Sequence, residues 1–505
     1  MSSPSDCQSR PVDDAASAAL ATAKQIIAAQ QAHIEVLQEL VASLTSRVAE
    51  LERQLGQNST NSGKPPSSDG LQKPPRTQSL REPSGKKSGG QRGHPGKTLR
   101  QVENPDAATD PFPETCTGCG AALNETMATD HAARQVFDLP DPKPLLVTEH
   151  RAYTCRCSRC GTQTKAAFPE SVTAPAQYGP RIEAFVLYLQ NHQLLPEKRL
   201  AMLMADLFSV KLTTATIARI SQDYAARCQA FVGTLREQVA KAPVKHMDET
   251  GFRVGGKTQW LHVASTFLLT FYRVSSKRGS LMESVSGIVV HDHWKPYYTM
   301  SDVLHALCNA HHLRELKALV EIEKENWAGQ MQRLLRIACH ATNVAREADV
   351  MLKPGLITMI ERRYDAIVAA GLALHEAQPA LGKVVKRGRA PRRVGHNLLL
   401  RLLTRRQDVL RFLTDPTVPF TNNLAEQDGR MMKVQQKISG GFRSDDGAKN
   451  FATIRSVLST ARKQGWSLIE ILMSDPFSLI GRLRLTYWGN GTPAWGETVP
   501  SGSSE

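Results

Sequence analysis

The most regular pattern in the chain is a seven-residue repeat near its start. Ile27, Ile34, Val41, Val48 and Leu55 recur every seven residues, and Leu37, Leu44 and Leu51 each follow three positions later. Branched residues at one seam position and Leu at the other predict a coiled coil over 16–56, paired as a parallel homodimer. Gln30 interrupts the seam early. The competing reading is an amphipathic helix packed on the chain's own globular part. The period is lost at 57–104, a Pro-, Gly- and Ser-rich stretch containing KPPR and GKKSGGQRGHPGK. Such a composition buries no core and reads as a basic linker.

Helical spacing returns over 171–240. YGPRIEAFVLYLQNHQLL carries an apolar stripe, and LPEKRLAMLMADLF with SVKLTTATIARISQDYAARC predicts two helices, the second capped by Thr213 or Thr214. A helix–turn–helix DNA-binding domain and a plain helical hairpin both fit this pattern. From residue 241 the pattern shortens to strands: APVKHMDETGFRV, then TQWLHVAST and LLTFYRV, then Ile288 to Val290. SSKRGSLMES between them predicts a short helix. HALCNAHHLREL runs from strand into helix. Three meandering strands, a helix and a further strand is the order of an α/β ribonuclease-H-like core. That core is expected over 241–444, interrupted by an α-helical insertion at 313–410. A C-terminal helical segment follows at 445–480, then a tail at 481–505.

Charge narrows the partners. Lys and Arg number 63 against 48 acids, a formal net charge of +15 in 505 residues, which favours a polyanion such as nucleic acid. The linker at 57–104 then reads either as a solvated tether or as an arm that orders on DNA. No apolar run is long enough for a membrane helix and no signal peptide is evident, so a cytoplasmic, nucleoid-associated protein with reduced cysteines is expected. Five of the nine cysteines fall within 116–160. Cys116-x-x-Cys119-Gly and Cys157-x-x-Cys160-Gly predict a small zinc-binding module over 105–170, with four thiolates closing a structural Zn²⁺ site. A hairpin containing the strand VTEHRAYTC is expected between them. Its last residue, Cys155, is a rival ligand.

The chemistry concentrates in FTNNLAEQDGRMMKVQQKISGGFRS, 420–444. Thr421, Asn422 and Asn423 predict a helix start and Gly440-Gly441 its stop. Glu426, Arg430, Lys433 and Lys437 then share one face, a carboxylate at the head of a cationic stripe. Read plainly, Asn423 and Glu426 form a capping box and the cations a solvated face. Asp248 and Asp292, each placed near a strand end, shift the balance. Three carboxylates can hold two Mg²⁺ or Mn²⁺ ions, with the cations on DNA phosphates. A non-catalytic DNA-binding regulator and a structure-selective nuclease are the alternatives.

These motifs together resemble the insertion sequence 66 transposases of bacteria. LGQNSTNSGKPPSSDG and GGQRGHPGKTL look like the linker of that family, and the paired CxxCG knuckles like its zinc-binding domain. QYGPRIEAFVLYLQNHQLLPEKRLAMLMADLF is similar to its central helical segment. HMDETGFRV, VVHDHWKPYY, CNAHHLREL and VPFTNNLAEQDGRMMKVQQKISGGFRS are similar to its catalytic domain. The resemblance implies a DDE transposase that binds the terminal inverted repeats of its element and inserts into target DNA. Asp248, Asp292 and Glu426 would be the catalytic triad. Asn422, Asn423, Arg430, Lys433 and Lys437 would contact DNA. Helper proteins of the same element are also implied. HDHWKPYY departs from the DGYxxY of many members, while Asp292 and Tyr297 or Tyr298 persist.

Overall fold

The computed structural model describes residues 12–58, 61–62, 101–137, 145–379, 381 and 392–484. Most of the expected linker and of the tail, and most of the basic stretch at 383–393, lie outside these residues. The heptad region is one helix, α1, Val12–Gly56. Its seam faces outward: Ile27 is 64% exposed and Leu55 86%. Its C-terminal end meets the rest of the chain. There the buried Asn61 donates to Gly56 O at 3.0 Å and to Glu321 at 3.3 Å.

The cysteine module is built from two small turns. The first closes between Cys116 and Ala121, and Gly120 takes a positive φ of 76°. The second sits in a hairpin of β1, Thr154–Arg156, and β2, Gln163–Lys165. The expected strand from Val147 thus shortens to three residues, and Cys155 is an exposed residue opposite Thr164.

Helices α2 (Pro180–Leu187), α3 (Glu197–Phe208), α4 (Thr214–Arg227) and α5 (Gln229–Lys241) follow. Thr213 caps α4 by accepting from Thr216 N at 3.1 Å. Periodicity dictates the packing of α4: Ile217, Ile220, Tyr224 and Ala225 fall on one face and are buried.

The sheet holds β3 (Val244–Val254), β4 (Lys257–Ser265), β5 (Thr270–Ser275), β6 (Gly287–His291) and β7 (Val303–Leu307) in the order β5-β4-β3-β6-β7. The β5-β4-β3 pairs are antiparallel, while β3-β6 and β6-β7 are parallel. A positive-φ pair, Gly255 and Gly256, turns β3 into β4. The expected helix at 275–284 is absent. That segment is turns and bends, held by the Arg273 guanidinium on Ser280 and Leu281 carbonyls.

The insertion is helical: α6 (Asn309–Ala318), α7 (Asn326–Glu347), α8 (Pro354–Glu376), α9 (Val394–Thr404) and α10 (Arg406–Thr414). Then come α11 (Asn423–Ser439), α12 (Asp445–Lys463) and α13 (Leu468–Met473).

Alternation along the strands divides the apolar residues between two faces. On one face Met247, Ala264, Phe271 and Val289 join Tyr224, Phe231 and Leu235 in a single core. The helices of 171–240 therefore share a core with the sheet instead of standing apart as a separate unit. On the other face Phe252, Val254, Leu261, Val263 and Tyr272 meet α11 and the start of α12. Ile288, Val290 and Leu307 are covered by the helical insertion. Each large apolar side chain so buried contributes roughly 1.5–3 kcal/mol.

Candidate active site

Asp248 lies in the middle of β3, not at its end, yet it occupies an edge of another kind. The parallel ladder to β6 pairs Val244 with Ile288 and ends with His246 opposite Val290. Asp248 and Asp292 each lie two residues beyond that last pair, Asp292 just past the end of β6, and the charge of Asp292 acts on Asp248. Asp248 keeps the parity of Phe252, on the side of β3 that meets α11. The Asp292 carboxylate accepts from Trp294 N at 3.0 Å, and that of Asp248 from Glu249 N at 2.9 Å.

Glu426 comes from the first turn of α11. Asn422 is the N-cap but makes no side-chain cap bond, and Asn423 is the first helical residue, so the capping box is not formed. The Glu426 carboxylate instead faces His311 Nδ1 at 3.9 Å, Arg314 at 4.0 Å and the Cys308 thiol at 3.8 Å. The helix ends where its glycines predict. Gly440 has φ +72°, and a Cβ on Gly441 would stand 2.6 Å from Arg253 O. This close approach lets Phe442 bridge to Val254 and ties the end of α11 to β3.

The acids act on one another. Burial pushes Asp248 up to about 8, and the charges of Glu249, Glu426 and Asp292, in that order, push the same way. Glu249 was not anticipated from the sequence. It is raised by burial, and is held at 2.6 Å by both Arg278 and the Tyr297 hydroxyl. Arg278 in turn lies over the rings of Trp294 and Trp260, at 4.3 and 5.0 Å. The persisting Tyr297 therefore secures the turn after Asp292 to β3. Arg405 stacks on Tyr298, 3.6 Å from the ring centre.

The expected DNA contacts divide. Asn423, Arg430, Lys433 and Lys437 are exposed along α11. Lys433 donates to Gly251 O at 2.7 Å, and partial burial lowers its pKa. Asn422 is 1% exposed and cannot reach a ligand. Its side chain meets His246 Nδ1 at 3.0 Å and donates to Met247 O at 2.8 Å, and its backbone N–H donates to Cys308 Sγ at 3.1 Å. It positions α11 against the strand that carries Asp248. Asp428, also unanticipated, anchors the other side of the helix, accepting from Ser265 (2.6 Å), Thr270 (3.0 Å) and Lys463 (2.7 Å).

The family described as "Transposase IS66 family" matches residues 175–450, more than half of the chain and the whole of this site. The chain belongs to that family. A second match, "zinc-finger binding domain of transposase IS66", covers 113–161 of this IS66 family member, and a family of unknown function (DUF6444) covers 18–100. An uncharacterised protein, y4jO, of Sinorhizobium fredii is 37% identical over 85 residues, 17% of this chain. The chain spans about a quarter (26%) of that relative's length.

The zinc-finger match falls on both knuckles, which are built alike. In each, the first Cys N–H and C=O are bonded across the turn at 2.9 Å, and the glycine after the second Cys is left-handed. Backbone N–H groups of Gly118 and Cys119 lower the Cys116 thiol, and Thr162 lowers Cys160. Donors that favour thiolate fit a zinc ligand. Each knuckle brings its own pair together. The two pairs do not merge into one cluster within 4.8 Å, and neither do the three carboxylates. Among the described residues that spacing is reached by Cys308, His311 and Glu426.

Proposed function

We propose that this chain is a DDE-type DNA transposase that cleaves the ends of its element and joins the freed 3′ ends to target DNA. The observation that carries this reading is the raised pKa of the buried Asp248, to which the charges of Glu426 and Asp292 contribute after burial and Glu249: three acids from separate parts of the chain brought near one another. The strand order supports assigning the sheet to the ribonuclease-H-like class.

A buried carboxylate with a raised pKa, Asp248, beside two further acids suits a site for hard divalent ions. Asp248, Asp292 and Glu426 would hold Mg²⁺ or Mn²⁺. So bound, the ions supply a lowered pKa for the attacking water or 3′-hydroxyl and charge stabilisation of the leaving oxygen. The protein's own part is placement. Glu249, Arg278 and Tyr297 fix the turn after Asp292. Asn422 fixes the head of α11. Arg430, Lys433, Lys437 and Asn423 present one face to the phosphodiester backbone. The exposed α1 seam supports a homodimer, which would pair two element ends. The knuckles would hold structural Zn²⁺. Among the described residues no helix is long and apolar enough to cross a membrane.

The test is nicking and strand transfer of a labelled element end in Mg²⁺. Asp248→Asn, Asp292→Asn and Glu426→Gln should each abolish both reactions while end binding survives. Wild-type nicking by any of the three removes that residue from the triad. Nicking without joining by the wild type would mark a nuclease instead.

A further inference from the structure

Three metal-ligand types converge beside the acids. Cys308 follows β7 and is the N-cap of α6, and His311 lies in the first turn of α6. The helix starts there because Asn309 N donates to Phe420 O at 3.0 Å, which draws the heads of α6 and α11 together. Cys308 Sγ and His311 Nδ1 both approach the same oxygen, Glu426 Oε1, at 3.8 and 3.9 Å, and all three donors lie within 4.8 Å of one another.

We propose that Cys308, His311 and Glu426 bind one zinc-class divalent cation, at a site that shares Glu426 with the acidic centre but takes a softer metal. Donors around a tetrahedral zinc stand about 3.3–3.6 Å apart, so the three side chains must draw in by up to about 1 Å to close on a metal. His311 Nδ1 is buried and has no hydrogen-bond partner, an orphan aimed at the gap. Burial, and then the Glu426 charge, push the Cys308 thiol up to about 12, while the backbone N–H groups of Asn422, 3.1 Å from the sulfur, of His311 and of Ala310 pull the other way. A thiolate, a neutral imidazole and a carboxylate carry a charge of −2, which a divalent cation cancels. Binding therefore releases the thiol proton to solvent and leaves no net charge in a buried place. Sulfur and imidazole donors select zinc, cobalt or iron over magnesium. A metal held there engages the Glu426 carboxylate and competes with any hard ion that needs it.

The test titrates cobalt(II) as the probe into the full-length protein after metal removal. The CxxCG knuckles take up cobalt as well, so the site is read as the difference between wild type and Cys308→Ser, which share the knuckles. Wild type should take up one more Co(II) per chain than Cys308→Ser, with an additional thiolate-to-cobalt charge-transfer band in the near ultraviolet. Cys308→Ser should lose that additional band. His311→Ala, at a half-exposed position that should not disturb folding, should weaken uptake by more than about tenfold, as should Glu426→Gln. The site is overturned if wild type shows no such band, if Cys308→Ser keeps it, or if His311→Ala binds as wild type does. Asp248→Asn should retain the band whether or not it nicks DNA, so failure of this site and failure of the proposed reaction give different results.

Discussion

Asn422 donates from Nδ2 to the carbonyl of Met247, the residue before Asp248, at 2.8 Å. The head of the helix carrying Glu426 is thereby bonded to the strand carrying Asp248, although the two are far apart in sequence. Asn422→Ala strips that carbonyl and His246 Nδ1 of their partner, and an unsatisfied buried group costs about 1–3 kcal/mol. Urea unfolding should show a loss of that size. Nicking should slow while affinity for the element end is kept. Loss of DNA affinity with unchanged stability would instead make Asn422 a DNA contact.

Asp428 and Lys463, 2.7 Å apart and 17% and 14% exposed, form the strut on the opposite side of α11. Removing one partner of such a pair leaves the other charge uncompensated, and Asp428→Asn should cost about 3 kcal/mol. Replacing both with apolar residues should cost less than either single change. A double-mutant cycle by denaturant unfolding measures this, and strictly additive losses would deny the coupling.

Asp248, pushed up to about 8 by burial and its acidic neighbours, makes folding depend on pH. A raised folded-state value means the native protein binds the proton more tightly. The stability it confers is complete below about pH 4 and is lost as pH rises through about 8. At about 1.4 kcal/mol per unit, the effect is bounded at ~6 kcal/mol. With divalent ions chelated, wild type should therefore unfold at lower urea at pH 8.5 than at pH 5. Asp248→Asn should flatten that difference, and Mg²⁺ should restore the wild type at high pH. Parallel pH profiles for the two proteins would refute the argument.

Lys433 is exposed on α11 and also bonds Gly251 O. If it grips phosphate, Lys433→Ala should weaken binding to all sequences alike and lower the salt slope by about one. A drop in stability with an unchanged slope would mark it as a lysine that only ties α11 to β3.

Local signals carried α11 and the strands. Asn422 and Gly440 bound the helix because capping and left-handed geometry are set by the residues at the ends themselves. Alternation located β3 to β5, and the apolar run 288–290 located β6. What was hidden depends on partners distant in the chain. Glu249 reads like any polar neighbour of Asp248 until Arg278 and Tyr297 fold onto it. Asp428 looks like a solvated helix position, since nothing near it announces Ser265 or Lys463. The burial of Asn422 was missed for the same reason. SSKRGSLMES suggested a helix by composition, but Arg273 holds that backbone open from across the sheet edge. Cys308 and His311 stood in a quoted motif, yet their meeting with Glu426 exists only once α6 and α11 abut.

The strut at Lys463 bears on how degraded copies of such elements are judged. A chain stopping after Ser444 would retain every acid of the proposed triad and the whole basic face. It would lack the helix whose Ser456, Thr460 and Lys463 brace β5 and α11. Counting the acids alone would score such a remnant as intact, when the support that aligns them is gone.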